Sequence, residues 1–326
     1  MKNFTETIWE EGEYSYPAAY GFVPNIHAYL HDDDADRDCM LVVPGGGYCV
    51  CTPHEGELAA EEFYNRGMNA FVLTYTTDIT MSVPLKDQPL KDISRAVRFI
   101  RKNADEYKIA GKKFFVCGFS AGAHVCGSLA VHHEDVTDGN ASYAGISNKP
   151  DGAILSYPVI TSGEFTHIYS IQTLLGNDAP ADELEYFSLE KHVTDSTCPC
   201  FIWQTESDEL VPVENSYLMA EALRAKKIPF AHYVFPEGFH GLSVANEAFF
   251  KGWNGGMYVM DQVFKAVEAV KAGKGVNVSD QRRAELEAQF APDAPQGPPE
   301  GFTIDQSLAE DAGLWVDMAM AWMKRI

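Results

Sequence analysis

Apolar residues follow two rhythms along this chain. Short unbroken runs read as strands buried on both faces: Cys39 to Val43 (CMLVV), Ala70 to Tyr75 (AFVLTY), Lys113 to Cys117, Gly152 to Ser156 (GAILS) and Cys200 to Thr205 (CFIWQT). Between them the spacing opens to three and four. Lys86 to Asn103 carries Leu90, Ile93, Val97 and Ile100 on one helical face. Gly56 to Arg66 (stopped by Gly67), Ala121 to His132 and Glu214 to Ala225 also read as helices. Phe230 to Phe235 alternates as a further strand, and Leu314 to Met323 closes the chain as a helix. Regular alternation of strand and helix predicts an α/β domain, a mostly parallel sheet with helices on both faces. No internal repeat is visible, and residues 1–326 read as one domain.

Two stretches interrupt the alternation. Ile160 to Thr197 is rich in Ser, Thr and acidic residues. Val244 to Asp311 is longer, with helical patterns at Met257 to Lys271 and Ser279 to Phe290, then the Pro/Gly-rich run APDAPQGPPEG. An insertion of that length, here 244–311, is expected to be a lid, a binding loop or a partner surface. Trp253, Tyr258 and Phe264 within it offer aromatic area for a second subunit, so a homo-oligomer is an expectation.

The chemistry gathers where strands end. Phe114 to Val131 reads FFVCGFSAGAHVCGSLAV, a strand run that meets Gly118-Phe119-Ser120-Ala121-Gly122 and turns at once into a helix. G-x-S-x-G at such a junction is the nucleophile-elbow pattern. Glycines on either side of the serine leave room for a turn too tight for side chains, and the next helix directs its N-terminus at the same spot. A free hydroxyl is a poor nucleophile and needs a base oriented by a carboxylate, in the order Ser, Asp or Glu, His. After CFIWQT comes Asp208, in a D-x-x-V-P turn, with Glu206 and Glu209 as competitors that its place before Val211-Pro212 disfavours. After FAHYVF comes His240, flanked by Gly238 and Gly241 as if on a loop with room around it. The other histidines fail on position: His124 lies in the helix after Ser120, His232 lies inside a strand, and His132 and His133 end a helix. His27, His31, His54, His167 and His192 precede the acid or miss a late strand's end. Pro44-Gly45-Gly46-Gly47-Tyr48 comes after the first strong strand, and its backbone N–H groups, with that of Ala121, suit an oxyanion hole. No G-K-[ST] comes after these glycines and no G-x-G-x-x-G is present, so phosphate-loop and dinucleotide readings fail. Tyr48 and Phe119 are expected to line the acyl side of the pocket.

Charge narrows the partners. Lys plus Arg number 25 against 47 Asp plus Glu, a net −22 that repels nucleic acid and anionic membrane surfaces. The N-terminal residues show no secretory h-region, and no apolar run is long enough to span a bilayer. The cysteines number seven, an odd count, and several sit in strand-like runs, which fits reduced thiols and a cytoplasmic location. The pairs Cys49/Cys51 and Cys198/Cys200 lack the usual metal-ligand spacing, so no metal is expected.

These pieces resemble the α/β-hydrolase esterases, and more narrowly their acetyl xylan esterase/feruloyl esterase-like group. The matching stretches are VVPGGGY, EGELAAEEFYNRGMNAFVLTY, PLKDISRAVRFIRKNADEYKI, VCGFSAGAHV, AILSYPVI, SLEKHVTDSTCPCFIWQTESDELVPVENS, FPEGFHGLS and WVDMAMAWM. They cover most of 38–243 and 313–324. The resemblance implies serine esterase chemistry without a cofactor, usually deacetylation of acetylated sugars or xylan fragments. It places Ser120, Asp208 and His240 on the triad positions and Gly46, Gly47 and Ala121 on the oxyanion positions. Pro44 stands where lipase-like relatives place His, as expected of this group. The insertion at 244–311 departs from the pattern and bears on substrate size and assembly. A peptidase or amidase on the same scaffold and a non-catalytic binding module are the rival readings. A glycosidase is weaker, since no paired carboxylates fall on facing strand ends.

Overall fold

The computed structural model describes residues 1–252, 255–291 and 305–326. The strands are β1 (Lys2–Thr7), β2 (Asn25–Leu30), β3 (Cys39–Val43), β4 (Asn69–Thr74), β5 (Phe114–Phe119), β6 (Gly152–Ser156), β7 (Cys200–Thr205) and β8 (Phe230–Phe235). Among the described residues they form one eight-stranded sheet in the order β1-β2-β4-β3-β5-β6-β7-β8. The pairings from β4 through β8 are parallel, and β2 runs antiparallel to both β1 and β4. Every residue of β3 to β7 is buried, which is why those segments read as continuous apolar runs.

The helices are α1 (Glu57–Asn65), α2 (Gln88–Lys102), α3 (Ala121–His132), α4 (Ile168–Leu175), α5 (Ala181–Tyr186), α6 (Glu214–Ala225), α7 (Glu247–Phe250), α8 (Asp261–Lys271), α9 (Asp280–Gln289) and α10 (Trp315–Met323), and those from the alternating part of the chain cover the sheet. Helix α3 is buried along its whole length, so its sequence shows little contrast between faces. The α/β architecture read from the alternation is present. The antiparallel pair β1–β2 is not visible in the pattern. Strand β1 (KNFTET) lies at the edge with its face in water and is held by its ladder to β2, so it needs no apolar stripe.

The excursion at 160–197 is structured too, and α4 returns Ile171, Leu174 and Leu175 to the core. The insertion folds back onto the body. Val263, Ala266, Val267 and Val270 of α8 form a small cluster with Leu286 of α9 and with Ile79. Gln262 accepts the Thr77 N–H at 2.9 Å, and the Arg282 guanidinium donates to the Ile79 carbonyl at 2.6 Å. Of the aromatic residues expected to face a second subunit, Tyr258 turns inward. Its hydroxyl meets that of Tyr29 at 2.9 Å and its ring stacks on His27, because β2 offers it a polar, aromatic seat. Phe264 is exposed. Trp253 and residues 292–304, which hold most of the Pro/Gly-rich run, lie outside the described residues.

Neighbouring parallel strands all end at the same edge of the sheet, and so do the loops they lead into. The chain leaving β3, β5, β6, β7 and β8 therefore brings Gly45, Ser120, Tyr157, Asp208 and His240 to the same end.

Candidate active site

Ser120 sits between β5 and α3 with φ 52° and ψ −117°, a conformation L residues avoid. It is held there by its own backbone: its N–H donates to the Ser156 carbonyl at 3.0 Å, and its carbonyl accepts the His124 N–H at 3.1 Å. The flanking glycines are there for space. A Cβ at Gly118 would lie 2.3 Å from the Gly122 carbonyl oxygen, and one at Gly122 would lie 2.1 Å from that of Val43. All of these are backbone atoms that cannot yield locally. Gly122→Ala is therefore expected to cost about 3 kcal/mol, the upper end for overpacking, and to lower activity per folded molecule as α3 is pushed from β3. Thermal unfolding measured beside esterase activity checks it, and an unchanged midpoint contradicts it.

The structure brings the three distant side chains into one hydrogen-bonded line. His240 Nε2 is 2.8 Å from Ser120 Oγ, and His240 Nδ1 is 2.8 Å from Asp208 Oδ2. The Asp208 carboxylate is buried and fully engaged. Its Oδ1 accepts the backbone N–H groups of Leu210 (3.0 Å) and Val211 (2.9 Å), and Gln204 Nε2 lies 3.3 Å from Oδ2. A carboxylate so fixed keeps the imidazole proton on Nδ1 and leaves Nε2 to accept from the serine. Of the competing carboxylates, Glu209 accepts from the His240 main-chain N–H at 3.4 Å and not from its ring, and Glu206 is exposed.

The loop carrying His240 is open toward the cavity at Gly241, where a Cβ would meet nothing closer than 3.9 Å, but tight at Gly238. Gly238 has φ 145°, and a Cβ there would come within 2.7 Å of both Leu242 and Thr205. Its N–H and carbonyl are tied to the Ser207 and Thr205 hydroxyls at 2.9 Å each. These contacts clamp the loop to the end of β7, fixing where the imidazole points.

A cavity of about 840 Å³ opens at Ser120 and His240. Gly46 and Gly47 (φ 122° and 62°) form part of its wall, and Ala121 opens α3 directly behind the serine, its N–H among those a helix cannot pair internally. Tyr48 and Phe119 are not in that wall. Tyr48 comes after the turn at Gly46–Gly47 and is carried under α3, where its hydroxyl shares a hydrogen bond of 2.6 Å with His124 Nδ1. His124 stays neutral, its pKa pushed down to about 4 by burial. Phe119 is the last residue of β5 and packs in the core against Tyr157 and Trp315.

Sequence reasoning missed other residues of the wall. His167, from the excursion before α4, lines the cavity with Nδ1 2.8 Å from the Ser170 hydroxyl. Burial, then the nearby His240, lowers its pKa and keeps it neutral. Phe239 comes from the His240 loop, and Phe249, Phe250 and Lys251 come from the insertion. No local signal marks them, because their place depends on how the insertion docks. Among the described residues the cavity meets one carboxylate, Glu55, buried behind the glycine loop.

The family model BD-FAE matches residues 27–223. A Butyrivibrio fibrisolvens protein named endo-1,4-beta-xylanase B is 70% identical over 270 residues, which is 83% of this chain and 42% of that protein. An acetylxylan esterase of Xylanibacter ruminicola is 28% identical over 248 residues, covering 74% of this chain and 46% of the relative. The chain thus spans less than half the length of either curated relative. Among solved structures, an acetyl ester-xyloside bifunctional hydrolase from Caldicellulosiruptor lactoaceticus is 30% identical, with a TM-score of 0.70 over 83% of this chain and 97% of that one.

Proposed function

The chain belongs to the BD-FAE family, and on that premise we propose that it is a serine carboxylic ester hydrolase that deacetylates small acetylated carbohydrates, of the xylo-oligosaccharide type or related. The observation that carries the reading is the line Asp208–His240–Ser120 opening into a cavity beside Gly46 and Gly47. In this reading Ser120 Oγ attacks the ester carbonyl as His240 Nε2 takes its proton. Asp208 stabilises the imidazolium, and the N–H groups of Gly46, Gly47 and Ala121 hold the oxyanion, each worth about 3 kcal/mol in the transition state. The imidazolium then gives that proton to the sugar oxygen as its bond to the carbonyl carbon breaks, so the alcohol leaves and the acetyl-enzyme remains. The acetyl-enzyme is released by water that His240 deprotonates.

The acetyl group and the xylan-derived alcohol are taken from the names of the relatives with acetyl-ester activity. Cleavage of the xylan chain itself is disfavoured. It calls for two carboxyl groups flanking the bond, and among the described residues the cavity meets Glu55 alone. The proposal includes a cytoplasmic location, supported by seven buried free thiols. The test is acetate release from acetylated xylo-oligosaccharides, run beside p-nitrophenyl acetate and an aminoacyl p-nitroanilide. Acetate release, with the ester cleaved faster than the anilide, is the expected result. Faster anilide cleavage, or new reducing ends without acetate, overturns it.

A further inference from the structure

Behind the glycine loop lies a buried charge that the triad chemistry does not use. Glu55 ends the short turn Pro53–Glu55 and is 3% exposed. Its Oε2 accepts the Gly45 N–H at 2.7 Å and the Thr52 hydroxyl, and its Oε1 accepts the Tyr157 hydroxyl at 2.7 Å. No Lys or Arg pairs with it among the described residues. A buried carboxylate without a cation is costly unless hydrogen bonds satisfy it. Here three neutral donors do, one each from the glycine loop, the turn beside it and the end of β6.

The second half of the network reaches the histidine. The Tyr157 hydroxyl, while donating to Glu55, accepts the N–H of Ser243 at 3.0 Å. Ser243 is three residues past His240, and its own hydroxyl donates to the His54 carbonyl at 2.5 Å, beside Glu55. The Tyr157 ring stands edge-on to the His240 imidazole, with centroids 5.0 Å apart. Burial, then the Glu55 charge, pushes the Tyr157 phenol far above its ordinary range, so it remains a donor.

We propose that Glu55 is a positioning residue that fixes the glycine loop against Ser120 and, through Tyr157, the segment after His240. This rests on the esterase reading of the same site. The space is tight where it acts. A Cβ at Gly45 would sit 2.8 Å from Glu55 Oε2, 2.9 Å from Ser120 Cβ and 2.5 Å from the Phe119 carbonyl. By taking the Gly45 N–H into the interior, the carboxylate sets the orientation in which the chain enters Gly46 and Gly47. A carboxylate is an acceptor at both oxygens and so can meet all three donors at once. An amide of the same shape must turn its NH₂ toward a donor and loses contacts on one side.

Glu55→Gln is expected to lower kcat for p-nitrophenyl acetate about 10²-fold, comparable to loss of an oxyanion donor, with KM nearly unchanged. Labelling of Ser120 by a fluorophosphonate is expected to slow in parallel, because it needs the same donors and base. Tyr157→Phe removes one hydroxyl and is expected to give a smaller fall, about 10-fold, in the same two readouts, corresponding to one net hydrogen bond. A folded Glu55→Gln protein with unchanged kcat and labelling, or with its loss confined to KM, overturns the proposal. Should that variant not fold, Tyr157→Phe decides, and unchanged kcat and labelling in it count as refutation. The two readings separate at the wild-type protein. If Ser120 there stays unlabelled, the esterase reading itself fails; if it labels and both variants label as fast, only the role of Glu55 does.

Discussion

Ser120→Ala is expected to lower kcat/KM for acetyl-ester hydrolysis by about 10⁴-fold or more, with the folded structure retained. The size comes from what is removed. Without Oγ no acyl-enzyme forms, and hydrolysis is left to water placed by the cavity and the backbone donors, which alone retain a residual advantage of roughly 10³–10⁴-fold over the uncatalysed reaction. The fold should tolerate the change, because the strained turn is held by main-chain bonds to Ser156 and His124 and by the glycines around it. Alanine needs no more space than serine. Acetate release from the oligosaccharide panel, with circular dichroism to confirm folding, checks it. A folded variant that keeps more than a few per cent of wild-type activity would mean that another group is the nucleophile.

Asp208→Asn is expected to be nearly as damaging, about 10⁴-fold in kcat by the logic of the wrong tautomer, and the surroundings of this carboxylate make the direction definite. Oδ1 is pinned by two backbone donors, the N–H groups of Leu210 and Val211. An asparagine must put its carbonyl oxygen there and thereby turn its NH₂ toward His240. Nδ1 then accepts, the ring proton moves to Nε2, and Nε2 donates to Ser120 when it should accept. The KM for a short ester is expected to stay within a few-fold, since no contact with the bound ester is lost. Steady-state kinetics with both constants resolved provides the check. Full activity in the Asn variant, or an equal loss in Glu206→Gln, would reassign the carboxylate.

The candidate site was more legible than the fold's periphery. Ser120 and Asp208 each come after a strongly apolar strand and His240 after an alternating one, so a one-dimensional pattern locates them at strand ends and chain order supplies their roles. Strand β1 was invisible because an edge strand with a wet face needs no apolar alternation. Tyr48 and Phe119 lie outside the cavity wall because adjacency in the chain is not adjacency in space. A turn of positive φ at Gly46–Gly47 carries Tyr48 to His124 on α3, and Phe119, ending a strand buried on both faces, packs against Tyr157 and Trp315. Glu55 carries no signal of its own: a Glu at the start of a helical stretch looks like any solvated first-turn acid until three loops close over it.

By itself the sequence determined the succession of buried strands and covering helices, the strained serine turn with its two glycines, and the order in which nucleophile, acid and base appear. Local sterics and apolar periodicity act over a few residues and are written in them directly. Tertiary structure alone decided that the imidazole sits 2.8 Å from Oγ on one side and 2.8 Å from the carboxylate on the other, that the insertion supplies Phe249 and Phe250 to the cavity wall, and that Glu55 is buried among neutral donors. Those facts depend on contacts between segments far apart in the chain, formed when the sheet closes and its parallel strands bring their ends to one edge.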